Sequence, residues 1–346
     1  MRSIPDLHLS AKKETCMPMY KQIVWEIKNK IEKGHFHFND KLPSINNLSA
    51  GYNLSRDTVE KAYTLLNKEG VVESVKRRGY FVKNANPISK VQIMLLFDQL
   101  SDNKRAVYNS IIEELKEVAD VYLYVYQADI DTFNKLIIEN LHRYHYYMVV
   151  PHFRNEERKL VKRALQILPK EKLILLDRKL DYYDNCLGNI YQDFENDVYE
   201  TLQENISLVN KYKKLTLVFP EGSPFTYPEG ILSGFVKLCK ANGIKYEVIS
   251  EINEQFAIVK GEAIITIEDN DLVKAIKQLK LTDFKLGEDF GILSYNDRPL
   301  KEVLYEGISV ITANFVEMGK EAARMIKEKK GSLTRNSFML IRRNSF

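Results

Sequence analysis

Cysteine is scarce: only Cys16, Cys186 and Cys239 occur in 346 residues, odd in number and far apart. Such thiols suit a reduced state better than a disulfide framework or a zinc site. Long apolar runs are missing too, and none approaches the ~20 residues that would span a bilayer. The opening MRSIPDLHLSAKKETC lacks the apolar stretch of a signal peptide, so a cytoplasmic protein with no membrane partner is expected. There is no Gly-rich phosphate loop of Walker type and no Gly-x-Ser-x-Gly elbow. Ser233, between Leu232 and Gly234, lies in an apparent helix. His142 and His145 share a helical face but have no acidic or Cys neighbour, so they read as a surface or core pair. Neither an enzyme nor a cofactor is indicated.

What is present is an ordinary globular composition, 45% hydrophobic and 28% charged, with charge unevenly spread. Residues 1–89 hold 15 Lys/Arg against 9 Asp/Glu, whereas residues 90–346 hold 36 against 38. A basic first quarter on a near-neutral remainder is what a chain with one end on a polyanion would show.

That first quarter has a readable pattern. Tyr20, Ile23, Val24, Ile27 and Ile31 recur at helical spacing, and Gly34 stops the helix. Ser44 can cap a short helix through about Ala50, and Gly51 to Leu54 make a turn. Ser55 can cap a third helix, Arg56 to Glu69, whose core face carries Val59, Ala62, Tyr63 and Leu66. Two short strands, Val71–Val75 and Gly79–Lys83, flank a Lys76-Arg77-Arg78 turn. Helix, helix, turn, helix and a basic-tipped hairpin predict a winged helix-turn-helix over residues 1–83, with its core at 17–83.

Such a fold offers the start of its third helix to the major groove, here Ser55, Arg56, Asp57 and Thr58, with Lys61 one turn on. Arg grips a guanine edge or a phosphate, and Ser and Thr hydroxyls suit phosphates. Ser44 leaves free backbone N–H groups at its helix start. Lys76, Arg77 and Arg78 reach from the hairpin tip, and Gly79 lets the backbone come close.

The stretches MYKQIVWEIKNKIEKG, KLPSINNLSAGYNLSRDTVEKAYTLLNKEGVV and RRGYFV resemble the GntR family of bacterial regulators over roughly residues 17–83. The resemblance implies that Ser44, Ser55, Arg56, Thr58 and Gly79 lie at DNA. It departs at Ile45 and Asn46, where the family often has Glu-Arg, and at Glu60, where a basic residue is common.

Residues 84–90, NANPISK, read as a linker. Beyond it, nine apolar β-rich runs alternate with amphipathic segments, beginning at Val91, Val121, Tyr146, Lys172, Lys214, Lys245, Glu262, Phe290 and Gly307. That alternation predicts α/β lobes with parallel sheets covered on both faces, and two lobes fit better than one. Ligands of open α/β sheets bind past the carboxyl ends of strands. The residues found there include Asp98 (with Tyr108 on the next helix), His152, Asp177, Arg178, Glu268, Asp269 and Asn296. Planar polar groups among aromatics chelate adjacent hydroxyls, so a polyhydroxylated ligand is a sensible match.

The segments LILLDRKLDYYDNCLGNIYQDFENDVYETL and FGILSYNDRPLKEVLYEGISVITANFVEMGKEAARMI are similar to the sugar-sensing domain of the LacI family. The resemblance implies a periplasmic-binding-protein-like (type I) domain over 90–346, two lobes joined by three crossovers. Lobe one would be about 91–192 and 312–333, and lobe two about 193–311 and 334–346. Asp177, Arg178, Glu268 and Asn296 would line the cleft. The combination implies a homodimeric, sugar-responsive regulator, expected as a repressor, of double-stranded operator DNA. Two alternatives stay open: a pyridoxal-phosphate enzyme-regulator hybrid, or a DNA-binding protein whose α/β part only dimerises.

Overall fold

The computed structural model describes residues 18–83, 90–141, 143–153, 157–220 and 227–346. Most of the expected linker, Cys16 and His142 lie outside the described residues.

The head begins with helix α1 (Met19–Glu32), followed by α2 (Ile45–Tyr52) and α3 (Arg56–Lys68), then strands β1 (Val72–Val75) and β2 (Gly79–Val82). Ile23, Ile27 and Ile31 of α1 meet Leu48, Val59, Tyr63 and Leu66 in one core, closed below by Val72 and Val82. Each buried aliphatic side chain contributes roughly 1.5–3 kcal/mol. The Tyr63 hydroxyl donates to the Pro43 carbonyl at 2.6 Å, and its ring stacks on Tyr80 at 4.6 Å. These contacts tie the helical hairpin to the wing. Helix α2 runs two residues past the expected end, because Asn53 rather than Gly51 takes the left-handed conformation, φ 52°, that turns the chain.

The body contains two six-stranded sheets. The first is built from β3 (Val91–Phe97), α4 (Asp102–Leu115), β4 (Ala119–Val125), α5 (Ile130–Asn140), β5 (Tyr146–Val149), α6 (Arg158–Ile167), β6 (Leu173–Arg178) and β7 (Gly188–Gln192). The chain then crosses to α7 (Phe194–Glu204), α8 (Ile206–Val209), β8 (Lys214–Val218), α9 (Glu229–Asn242), β9 (Lys245–Ile249), β10 (Glu262–Thr266) and α10 (Asp269–Leu279). After β11 (Gly291–Tyr295), α11 (Pro299–Val303) and β12 (Ser309–Ala313), helix α12 (Phe315–Glu328) returns to the first lobe, followed by β13 (Leu333–Arg335) there and β14 (Phe338–Ile341) in the second. Strand order is β13-β7-β6-β5-β3-β4 in lobe one and β14-β12-β11-β10-β8-β9 in lobe two. Pairing is parallel throughout except where β14 runs antiparallel to β12.

The nine apolar runs all form strands, within a residue or two of their expected ends. Strands β7, β13 and β14 were not expected. In β7 only Ile190 and Tyr191 are apolar and large, and Gly188 leaves room for α12, since a Cβ there would lie 2.5 Å from the Met325 sulfur. The lobes are joined by three passages, after β7, after β12 and after β13. At the last, Arg335 of β13 bonds Asp197 (Nε to Oδ1, 2.8 Å) and Glu200 of α7.

The head rests on lobe one at the amino ends of its central strands. The Lys172 ammonium lies 4.7 Å from the Trp25 ring centre, and His145 Nε2 is 3.9 Å from Glu32.

Candidate nucleic-acid interface and interlobe cleft

Ser55 caps α3 by accepting from the Thr58 amide at 3.2 Å, and the two hydroxyls are 2.7 Å apart. This cap sets Arg56 and Asp57 on the exposed first turn. Ser44 caps α2 in the same way, accepting from Asn47 N at 3.1 Å, and is itself exposed. Lys61 leans over the Tyr20 ring at 4.5 Å, so its charge is held one turn along the same helix. In the wing, Arg77 takes a positive φ of 63° and Gly79 one of 105°, which makes the turn tight. Lys76, Arg77 and Arg78 are exposed there, with Arg78 over Phe81 at 5.4 Å. Among the described residues Arg56, Lys76 and Arg77 have no ion-pair partner. Lys41, passed over in the sequence, bridges to Phe81, and its stem lies 3.5 Å from where a Gly79 Cβ would be; it adds a cation beside the wing.

Between the lobes lies a cleft of about 750 Å³. Asp98, His152, Asp177 and Arg178 line it from lobe one, and Glu268, Asp269 and Asn296 from lobe two. All stand at or just past carboxyl ends of strands, where parallel sheets leave backbone and side chains free. Asp177 and Asn296 hold positive φ values of 74° and 61°, conformations that Asp and Asn tolerate better than other residues and that concentrate at functional sites. Tyr108 does not join them. It sits on α4 beside Val107 and Ile111 and packs against the lobe-one core, whereas the helix presents Ser101, Asn103 and Lys104 to the cleft.

The floor is a chain of charges. Buried Lys104 pairs closely with Asp98. His152 spans two carboxylates, Nδ1 to Asp98 at 3.3 Å and Nε2 to Asp177 at 2.5 Å. The second approach is a charge contact and not an aligned hydrogen bond. Gln192 donates its amide to the other Asp177 oxygen. Burial pushes both carboxyls up, but His152 and Lys104 outweigh it, and Gln192 adds to their pull on Asp177, so both are held below the usual carboxylate range.

The facing wall is built on Lys301. Lys301 is 2% exposed, and its ammonium donates to Ser294 Oγ (2.9 Å), Tyr295 O (3.1 Å) and Asn296 O (2.8 Å), and pairs with Asp269 at 3.1 Å. Burial pulls this amine down, while Asp269 opposes the shift. Arg298 grips the other Asp269 oxygen at 2.6 Å, and the Tyr227 hydroxyl donates to Glu268 at 3.1 Å. Burial and Glu268 push that phenol well above its ordinary value. Gln192, Arg298 and Lys301 escaped the sequence reading. Gln192 ends a strand too polar to recognise, and the two cations sit within a turn of Asn296, the one usable signal for them.

Residues 19–82 match the family described as bacterial regulatory proteins, gntR family, and residues 208–342 match the periplasmic binding protein-like domain. The chain joins a GntR-type head to a periplasmic-binding-protein-like body. Residues of this head are similar to those of the HTH-type transcriptional repressor YtrA of Bacillus subtilis, 37% identical over 65 residues, which is 19% of this chain and 50% of that protein. The chain thus spans about half the length of that relative. In fold it resembles the Lac repressor bound to ONPG in its repressed state (TM-score 0.57, 14% identity, covering 84% of this chain and 90% of that one). It also resembles a periplasmic binding protein/LacI transcriptional regulator from Alkaliphilus metalliredigens complexed with D-xylulofuranose (TM-score 0.54, 16% identity, 74% and 99% covered). No helix among the described residues is long and apolar enough to cross a membrane.

Proposed function

We propose that this protein is a ligand-responsive transcription regulator, a repressor whose winged head binds operator DNA and whose cleft binds a monosaccharide or a close derivative. One observation carries the reading: a head with an exposed Ser55-Arg56 helix start beside a cationic turn is attached to a two-lobed body whose roughly 750 Å³ cleft is within the range of small-molecule sites.

On this reading Arg56 reads a base edge, with Asp57 and Thr58 beside it. The helix starts at Ser44 and Ser55 take phosphates. Lys61, Lys76, Arg77 and Arg78 supply backbone affinity, and Gly79 allows close approach. Two chains in a homodimer place two heads on a near-palindromic site. In the cleft, Asp98, His152, Asp177 and Arg178 form one jaw, and Glu268, Asp269 and Asn296 the other. A ligand that prefers the closed jaws shifts the population of closed molecules and so changes the spacing of the heads. The structure of the Alkaliphilus regulator, complexed with D-xylulofuranose, supports a sugar as the ligand.

A gel-shift titration tests the reading. The purified protein is mixed with DNA from its own upstream region, at fixed salt, across a panel of pentoses and hexoses. The expected result is specific binding that one sugar weakens at least tenfold. Binding that ignores every sugar would leave the body as a dimerisation unit and remove the sensing role.

A further inference from the structure

We infer that the cleft takes a hydroxyl-rich ligand carrying neither phosphate nor carboxylate, because carboxylates already hold Lys104, Arg298 and Lys301 and its two unpaired amide oxygens are acceptors. The inference rests on the cleft being the ligand site.

Among the described residues the cleft is lined by six acids (Asp98, Asp129, Glu157, Asp177, Glu268 and Asp269) and by the cations Lys104, Arg178 and Arg298. Even with His152 protonated, the balance of these described residues is negative by two. An entering anion therefore meets a repulsive field focused by low-dielectric walls. Pairing sharpens this. Lys104 is held by Asp98, and Arg298 by Asp269. Lys301 lies behind the wall with its ammonium shared among Asp269 and three neutral oxygens. A phosphate could recruit Lys104 or Lys301 only by breaking a contact of a buried ammonium, and Arg298 only by taking it from Asp269.

The polar atoms left over point the same way. Gln192, 7% exposed, must turn its amide nitrogen to Asp177, since a carboxylate only accepts; its Oε1 is then left buried without a partner. The Asn296 Oδ1 is likewise buried and unpaired. Tyr295, 5% exposed, brings an unpaired hydroxyl to the same cleft. Two amide acceptors and one phenol match a ligand that donates as well as accepts. Sugar hydroxyls do both, whereas a phosphate dianion or a carboxylate offers no donor and would leave Gln192 and Asn296 unsatisfied.

Calorimetry on the full chain at about 150 mM salt provides the test. The titrants are neutral pentoses and hexoses, the terminal phosphate of each, and the matching uronic acids. At least one neutral sugar should bind, with its phosphate and uronate at least 100-fold weaker. A phosphate or uronate that binds as tightly as its neutral parent overturns the inference and leaves the sensing role intact. If no compound binds, the assignment of the cleft itself fails, and this inference with it. The variant Asp269→Asn releases Arg298 and Lys301. Provided its melting curve remains cooperative, it should narrow the preference for neutral sugar over phosphate at least tenfold. An unchanged ratio would overturn the pairing argument.

Discussion

Arg298 on lobe two reaches across the cleft mouth to Asp102 on the first turn of α4 in lobe one, Nε to Oδ2 3.7 Å, while its NH1 holds Asp269 at 2.6 Å. This contact bridges the two jaws, and both side chains are solvent-exposed enough to be screened. Exposed pairs contribute about 0–1 kcal/mol. The variant Asp102→Ala should therefore weaken cleft-ligand binding by no more than about fivefold, and the loss should shrink as salt rises. Calorimetry at low and high salt checks this; a loss that salt does not change would mean Asp102 acts by touching the ligand.

The head makes a separable prediction. Arg56→Ala should abolish discrimination between operator and random duplex, because the residue stands free on the exposed first turn of α3. Lys76→Ala and Arg77→Ala should weaken binding to both duplexes alike and lower the slope of log affinity against log salt by about 0.9 for each phosphate no longer neutralised. Fluorescence anisotropy across a salt series distinguishes the two behaviours.

Asp197 gives the chain a pH-dependent stability term. Burial pushes its carboxyl up to about 6, although Arg335 pulls the other way. A carboxyl raised in the folded state binds a proton there before it does in the unfolded chain. Its contribution is then fully present below the unfolded value near 4 and is lost as pH rises through about 6. Asp197→Asn should gain on the parent by about 1–3 kcal/mol between pH 5 and pH 8, from roughly 1.4 kcal/mol per unit. Urea unfolding at the two pH values measures it. A gain in the opposite direction would show that the Arg335 bond dominates.

Helices α7 and α9 touch at Gly234, where a Cβ would lie 2.3 Å from the Glu195 carbonyl oxygen. In an open helix Gly→Ala stabilises by about 1 kcal/mol. Here overpacking at about 1–3 kcal/mol should win, so Gly234→Ala lowers the melting temperature. An unchanged or higher value would mean that α9 can shift freely away from α7.

The sequence made the framework legible where the local physics is strong. Runs such as VQIMLLF and KLILLD are buried on both faces and have few other ways to fold, and the Ser44 and Ser55 caps mark their helices because their side chains do the capping. It was silent where tertiary contacts decide. Strand β13 is three residues, LTR, with no apolar alternation, and forms only because β7 offers it an edge. In the cleft, the strand-end rule found Asp98, His152, Asp177, Arg178, Glu268, Asp269 and Asn296 because topology alone puts them there. It misplaced Tyr108, since which face of α4 looks into the cleft depends on how the helix rolls against the sheet. It missed Lys301, a lysine that ordinary burial rules assign to solvent and that is retained inside by three oxygens and Asp269.

Strands β5 and β6 run from the head to the cleft. His145 and Lys172, at their amino ends, touch Glu32 and Trp25 of α1, and His152 and Asp177, at or just past their carboxyl ends, face the ligand space. At about 3.3 Å per residue these few residues make two stiff spokes, each on the order of 20 Å long. On the proposed reading, a jaw that swings about the three passages would tilt the spokes, and the footing of α1 would tilt with them. Trp25→Ala should then leave ligand binding and DNA binding intact but uncouple them, which gel shifts with and without ligand would read.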